Sequence, residues 1–219
     1  LLRRSLSLSV LGACLLAGSA CSNSKDGARA VVPPTTTAVS AQPSAAAGSR
    51  LTGTGFTIDL PAGWTQVDPT QDTSDLVAGS FGVKDGPNAS ILKSLLDDQK
   101  KAGVQWAIAS SGASGDFATN LTAGCESGGL SGSTIADLKK KAKVFNKDSK
   151  NLKITDIAVS GKPAIQVSYV SADLTGGTTE AYEVKVPTGS DKYCYAILKA
   201  RPGGLDGLAD QIISTYSVS

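Results

Sequence analysis

Between residues 152 and 198 the chain passes through four stretches of two-residue periodicity, and nothing else in it restricts the fold as much. Leu152 to Val159, Pro163 to Val170, Ala181 to Val186 and Tyr193 to Leu198 each put apolar residues at alternate positions, with Ile165, Val167 and Tyr169 on one side of the second. Ser160-Gly161-Lys162, Thr175-Gly176-Gly177 and Thr188-Gly189-Ser190 fall between them. Turns of this composition join antiparallel neighbours, so the segment predicts an antiparallel meander.

The flanking sequence supplies further strands and the helices that cover them. Phe56, Ile58 and Leu60 alternate with Thr57 and Asp59 before a turn at Pro61-Ala62-Gly63-Trp64, and Val77, Gly79, Phe81 and Val83 predict a second strand closed by Asp85-Gly86-Pro87. Ile91, Leu92, Leu95 and Leu96 then recur at helical spacing, with Asn88 or Ser90 to cap the start and Gly103 the end. Val104, Trp106 and Ile108 form one strand and Phe117 to Cys125 another, around a Gly-Ser turn at 110–115. After the glycine-rich stretch 124–132, Ser133 or Thr134 caps a helix whose apolar side is Ile135, Leu138, Ala142 and Phe145. Leu205, Leu208, Ala209, Ile212, Ile213 and Tyr216 form the stripe of a closing helix that packs on a sheet. Strands with helices segregated among them predict an α+β domain, an antiparallel sheet of about six to eight strands flanked by helices.

The first fifty of the 219 residues differ from the rest. Residues 1–20 carry Arg3 and Arg4, an apolar run from Leu6 to Ala17, and small residues ending at Cys21, the pattern of an export signal. The run is shorter than the roughly 18 to 20 residues that span a bilayer. Leu16-Ala17-Gly18-Ser19-Ala20-Cys21 resembles a bacterial lipobox, in which Cys21 would carry diacylglycerol and become the first mature residue. Leu11-Gly12-Ala13-Cys14 is the competing match; Cys21 is preferred because it leads directly into the polar Ser22-Asn23-Ser24. Residues 21–50, with Pro33, Pro34, Pro43, three consecutive threonines and no aromatic, predict a disordered tether. About 170 residues remain for one domain, 51–219, enough to bury roughly 70% of the surface its unfolded chain exposes.

Composition narrows the chemistry. There is no histidine, so Ser-His-Asp and Cys-His nucleophiles, His-based zinc sites and imidazole proton shuttles are all excluded. The formal charge of +2 belongs to Arg3 and Arg4; from Leu51 onward 16 basic residues face 18 acidic ones, which gives no footprint for nucleic acid. No cofactor or metal is implied, and no catalytic residue is assigned.

Gly55-Phe56-Thr57-Ile58-Asp59-Leu60-Pro61-Ala62-Gly63-Trp64 resembles the opening strand motif of PsbP-like domains. The helix leading into Gly103-Val104, the Phe117 to Leu121 strand, the Ile135 to Phe145 helix, the Gly161-Lys162-Pro163-Ala164 hairpin and the closing helix keep the order of the actinobacterial lipoproteins of this fold, the LpqN and LpqT group. The resemblance covers residues 52 to 219. It implies a PsbP-like sandwich and a non-catalytic accessory role at the extracytoplasmic face of the cell membrane. The cysteine pair and the lack of histidine are departures from that pattern.

Four sets of residues are candidate sites. Cys125 and Cys194 are the two cysteines of the exported domain, and an oxidising compartment favours a structural disulfide between them. Trp64 and Trp106 are core aromatics or the lining of a groove for an apolar or glycan ligand. Lys139, Lys140, Lys141 and Lys143 open a local basic excess that continues through Lys147, Lys150 and Lys153. They form either a solvated helix face or a contact with anionic headgroups or an acidic partner. Ser90-Ile91-Leu92-Lys93 matches the S-x-x-K motif of acyl-enzymes, but its companion motifs are missing and Ser90 reads as a helix cap. The expected function is a membrane-anchored binding module for an envelope protein, or a carrier of a lipid or glycan held between sheet and helices.

Overall fold

The computed structural model describes residues 48–84, 88–109, 115, 117–129, 132–173, 177–189 and 191–219. The export signal, Cys14, Cys21 and the tether up to residue 47 lie outside the described residues, as do the predicted turn at 85–87, most of the 110–115 turn, and parts of the loops at 130–131, 174–176 and 190.

The described chain is α+β, with two antiparallel sheets and four helices. It opens with β1 (Arg50–Gly53), β2 (Phe56–Asp59) and β3 (Trp64–Val67), followed by the helices α1 (Asp75–Phe81) and α2 (Ala89–Lys101). Next come β4 (Gln105–Ala109), β5 (Asn120–Ser127) and α3 (Ile135–Phe145). The predicted meander is β6 (Lys150–Val159), β7 (Lys162–Ala172), β8 (Thr178–Pro187) and β9 (Lys192–Ala200), and α4 (Leu208–Ser214) and β10 (Ser217–Val218) close the chain. Seven strands pair in the order β3-β4-β5-β9-β8-β7-β6, and a small sheet runs β1-β2-β10.

The two-residue period sends the side chains of the large sheet to opposite sides, and both sides are covered. On the inner face, Ala107, Leu121, Ala123, Val184, Cys194 and Leu198 pack against Leu51, Phe56 and Ile58 of the small sheet and Ile212 and Tyr216 of the closing segment. On the other, the helix face, Trp106, Ile165, Val167, Tyr193 and Tyr195 meet Leu138 and Ala142 of α3, with Leu96 of α2 beside them. β1 extends the folded domain back to Arg50, one residue inside the predicted tether, because Leu51 is fully buried opposite Ile58. The Arg50 guanidinium pairs with Asp59 across the same two strands.

Three local expectations are corrected. Residues 77–83 do not form a strand. Val77, Gly79 and Phe81 fit a period of two, but Ser74 and Gly82 decide the matter: the Ser74 side chain accepts a hydrogen bond from Val77 N, and Gly82 closes α1 in the left-handed region at φ 72°. Ser80 Oγ then donates to Leu76 O and accepts from Ala118 N, tying α1 to the strand beyond. Phe145 does not share the buried side of α3. Leu138 and Ala142 are buried, whereas Phe145, on the last turn, overhangs the packed surface and is 78% exposed. The cap of α2 is Asn88, without a side-chain hydrogen bond, and Ser90 lies inside the helix. At α3, Thr134 is the cap, in a reciprocal box with Asp137, and the hydrogen bonds Asp137 accepts from Thr134 hold its carboxyl below the usual carboxylate range.

Candidate functional site

The helix face is filled unevenly, and the sequence explains where. Under α3 lie branched and aromatic side chains; under α2 the sheet presents Thr122 and Asn120, and α1 brings Gly79, Ser80 and Gly82 alongside. Short side chains below a helix leave space, and α2 buries none of its residues fully. The result is a groove of about 430 Å³ between α1, α2 and the sheet. Phe81, Leu92, Leu96, Trp106, Phe117 and Ile197 make it apolar, while Gln99, Asn120, Thr122, Thr179 and Lys199 supply amides, hydroxyls and one ammonium. Its size lies in the range of small-molecule sites, and so does this mixture of apolar walls with a few polar groups.

Trp106 is the tryptophan that borders this groove. It is buried, and its indole Nε1 has no hydrogen-bond partner, an unsatisfied donor that costs about 1–3 kcal/mol unless something accepts from it. Trp64 lies in the inner-face core, starting β3, and lines no part of the groove. A smaller hollow of about 320 Å³ lies between the meander and the N-terminal end of α4. Its polar groups are already engaged: Glu180 accepts from Leu205 N, and the Tyr182 hydroxyl donates to Asp210. Partial burial and the Asp210 charge push the Tyr182 phenol up to about 12.

Beside the groove the helix face holds a buried polar cluster. Tyr169 Oη donates to Glu183 Oε1 at 2.6 Å, and Lys185 Nζ lies 2.8 Å from Oε2 as an ion pair without hydrogen-bond geometry. Burial, reinforced by the Glu183 charge, drives the Tyr169 phenol far above its ordinary range. The Tyr193 hydroxyl donates to Glu126, and burial and that bond raise its phenol as well. Gly124 makes room here: a Cβ on it would come within 2.8 Å of Val104 Cγ2 and 3.1 Å of Tyr195 Oη. The protonated tyrosines and paired carboxylates of this cluster make a fixed polar floor. Among the described residues no group of His, Cys, Asp or Glu could hold a metal ion.

The lysines of α3 divide into two sets. Lys139 pairs with Asp156, and Lys141 turns inward, donating to the carbonyls of Gly128 and Gly132 and standing 5.2 Å above the Tyr193 ring. Lys140 and Lys143 point to solvent, next to exposed Val144 and Phe145. Helical spacing from Leu138 and Ala142 predicts Phe145 in the core, but that spacing carries no information about where the sheet beneath the helix ends.

Cys125 and Cys194 stand directly opposite each other on β5 and β9, and their sulfurs are bonded. The bridge faces the small sheet, where a Cβ on Gly55 would sit 3.3 Å from Cys125 Sγ; φ 88° at that residue permits the tight β1–β2 turn. Ser90 and Lys93 are both exposed near the start of α2, with no hydrogen bond between them.

No family model matches the chain, and no curated protein matches it by sequence. Solved structures align with it at low identity. LpqN of Mycobacterium tuberculosis, described as involved in cell envelope biogenesis, is 11% identical over 82% of this chain and 87% of its own, with a TM-score of 0.47. Cyanobacterial PsbP from Synechocystis is 13% identical over 84% and 99%, also at 0.47. A protein of Bacteroides thetaiotaomicron is 10% identical over 80% of this chain, which spans about half of that structure's length, 49%, at 0.45.

Proposed function

We propose that the chain is an exported lipoprotein, anchored through Cys21 at the extracytoplasmic face of a bacterial cell membrane, whose domain is a non-catalytic binding module of the cell envelope. The observation that carries the binding reading is the groove beneath α2, with its apolar walls, short polar side chains and the unpartnered indole of Trp106. What supports the envelope location is the lipobox-like run ending at Cys21, joined to a domain whose two cysteines are bonded. The same groove favours a second, narrower reading: a carrier of a lipid or glycan held between sheet and helices.

Fractionation of the producing cells tests the anchor. The full chain partitions with membranes and leaves them only in detergent, and Cys21→Ser abolishes both signal cleavage before residue 21 and acyl labelling. Unchanged processing and labelling in Cys21→Ser would overturn the anchor at this cysteine, and Cys14→Ser is the companion variant that identifies the alternative.

A further inference from the structure

The end of α3 carries an exposed aromatic in basic surroundings. Among the described residues four large hydrophobic side chains are exposed: Ile91 and Leu95 on α2, at 60% and 54%, and Val144 and Phe145 on α3, at 60% and 78%. The two pairs differ in their neighbours. Around Ile91 and Leu95 the helix carries Lys93, Asp97 and Asp98, a mixed and nearly neutral surface. Close in sequence to Val144 and Phe145 are Lys140, Lys143, Lys147 and Lys150, and the one acid among them is Asp148, 4.0 Å from Lys147. Lys140, Lys143 and Lys150 form no ion pair among the described residues.

The helix stops directly after this pair. Asn146 ends the helix, with both its backbone N and its side-chain Nδ2 donating to Ala142 O at 3.1 Å, and Ser149 N donates back to Asn146 O. A phenylalanine ring left in water on the last turn forgoes the burial that a core aromatic gains. An exposed aromatic and an exposed aliphatic side chain in a lysine-rich stretch have the composition that enters the interface of an anionic bilayer: the apolar groups settle at the headgroup boundary and the ammonium groups meet lipid phosphates.

We propose that the C-terminal end of α3, through Val144 and Phe145 with Lys140, Lys143 and Lys147, docks the domain on an anionic lipid surface. The lysines call for an anionic partner and exposed Val144 and Phe145 for an apolar boundary, the combination a lipid interface offers, and the contact is separate from the acyl anchor on Cys21, so either can fail without the other. On a membrane it would fix which side of the domain faces lipid, and the Leu92 and Leu96 side of the groove lies in the same helix layer.

The test uses the full chain with Phe145→Trp. Its sequence holds two other tryptophans, Trp64 and Trp106, both buried, and none in the N-terminal segment, so a new exposed emitter reports on this site alone. The probes are vesicles of phosphatidylcholine, with or without phosphatidylglycerol, carrying brominated acyl chains. The docked patch gives a blue shift and bromine quenching of the new tryptophan with phosphatidylglycerol and neither with phosphatidylcholine alone, and high salt reverses both. In the same background, Lys140→Gln, Lys143→Gln and Lys147→Gln together lower the quenching-derived partition about 100-fold, from about fivefold per lysine. Unquenched emission from the introduced tryptophan on anionic vesicles, or equal quenching on neutral ones, would overturn the proposal. Because the lysine variant keeps the tryptophan and replaces exposed residues, unchanged far-UV dichroism separates lost docking from lost folding.

Discussion

The two faces of the seven-stranded sheet are built from neighbouring residues of the same strands, yet they do different work. On the inner face small and branched side chains alternate, Ala196 beside Leu198 and Ala123 beside Leu121, and they close against the small sheet and α4, with the Tyr216 hydroxyl buried there without a partner. The helix face carries tyrosines, a buried ion pair, an unpartnered indole and a groove of about 430 Å³. A sheet covered by another sheet is gripped along its length, whereas a sheet covered by two helices is gripped only where their apolar stripes reach it. Stability is therefore concentrated on the inner face, and the larger of the two hollows, the one with an unpartnered donor at its edge, lies on the helix face.

Replacing Cys125 and Cys194 together with alanine tests the grip of the inner face most severely. The bridge spans 69 residues of sequence, and chain entropy assigns it about 4 kcal/mol, read as a fall in the urea midpoint with little change in tryptophan emission. Adjacent residues of β9 then compare the two faces within one strand. Leu198→Ala, on the inner face, costs about 3 kcal/mol, while Ile197→Ala, half-buried on the groove wall, costs about 1 kcal/mol. Equal losses would mean that the groove is a packed core in solution and would remove the distinction.

Alkaline titration sharpens the comparison further. All five tyrosines are raised above 10, chiefly by burial. Above that value the unfolded chain releases protons that the folded chain keeps, so the tyrosine contribution is complete below pH 10 and drains as the pH rises towards the folded values. Each fully shielded phenol accounts for at most about 1.4 kcal/mol in the first pH unit. Phenolate absorbance should stay low until the protein unfolds; a reversible step near pH 10 from Tyr193 or Tyr195 would show that water reaches the floor of the helix face.

The inner face is largely legible in the sequence and the helix face is not. Period-two alternation assigns the strands of the meander, and the opposed cysteines fall on the apolar side of β5 and β9, because a strand buried against another sheet carries its pattern in its own residues. The helix between Ser74 and Gly82 is hidden where alternation at Val77, Gly79 and Phe81 coincides with helical spacing; the cap signals at both ends separate the two. The groove arises from shortness, from Gly79 and Ser80 of α1 and Thr122 of β5, and such an absence of volume has no signature along the chain. Lys141 cannot be told from Lys140 by sequence, because a charge run does not reveal that Gly128 and Gly132 turn carbonyls towards one lysine and not the next.

The most direct measurement of the proposed function is native mass spectrometry of the protein purified from its own membranes, before and after denaturing extraction. A lipid-anchored binding module predicts a mature chain that begins at Cys21, carries diacylglycerol and lacks two hydrogens for the Cys125–Cys194 bond. A further mass lost on extraction would select the carrier reading. A chain that retains residues 1–20, or begins at another residue without an acyl mass, would contradict the account.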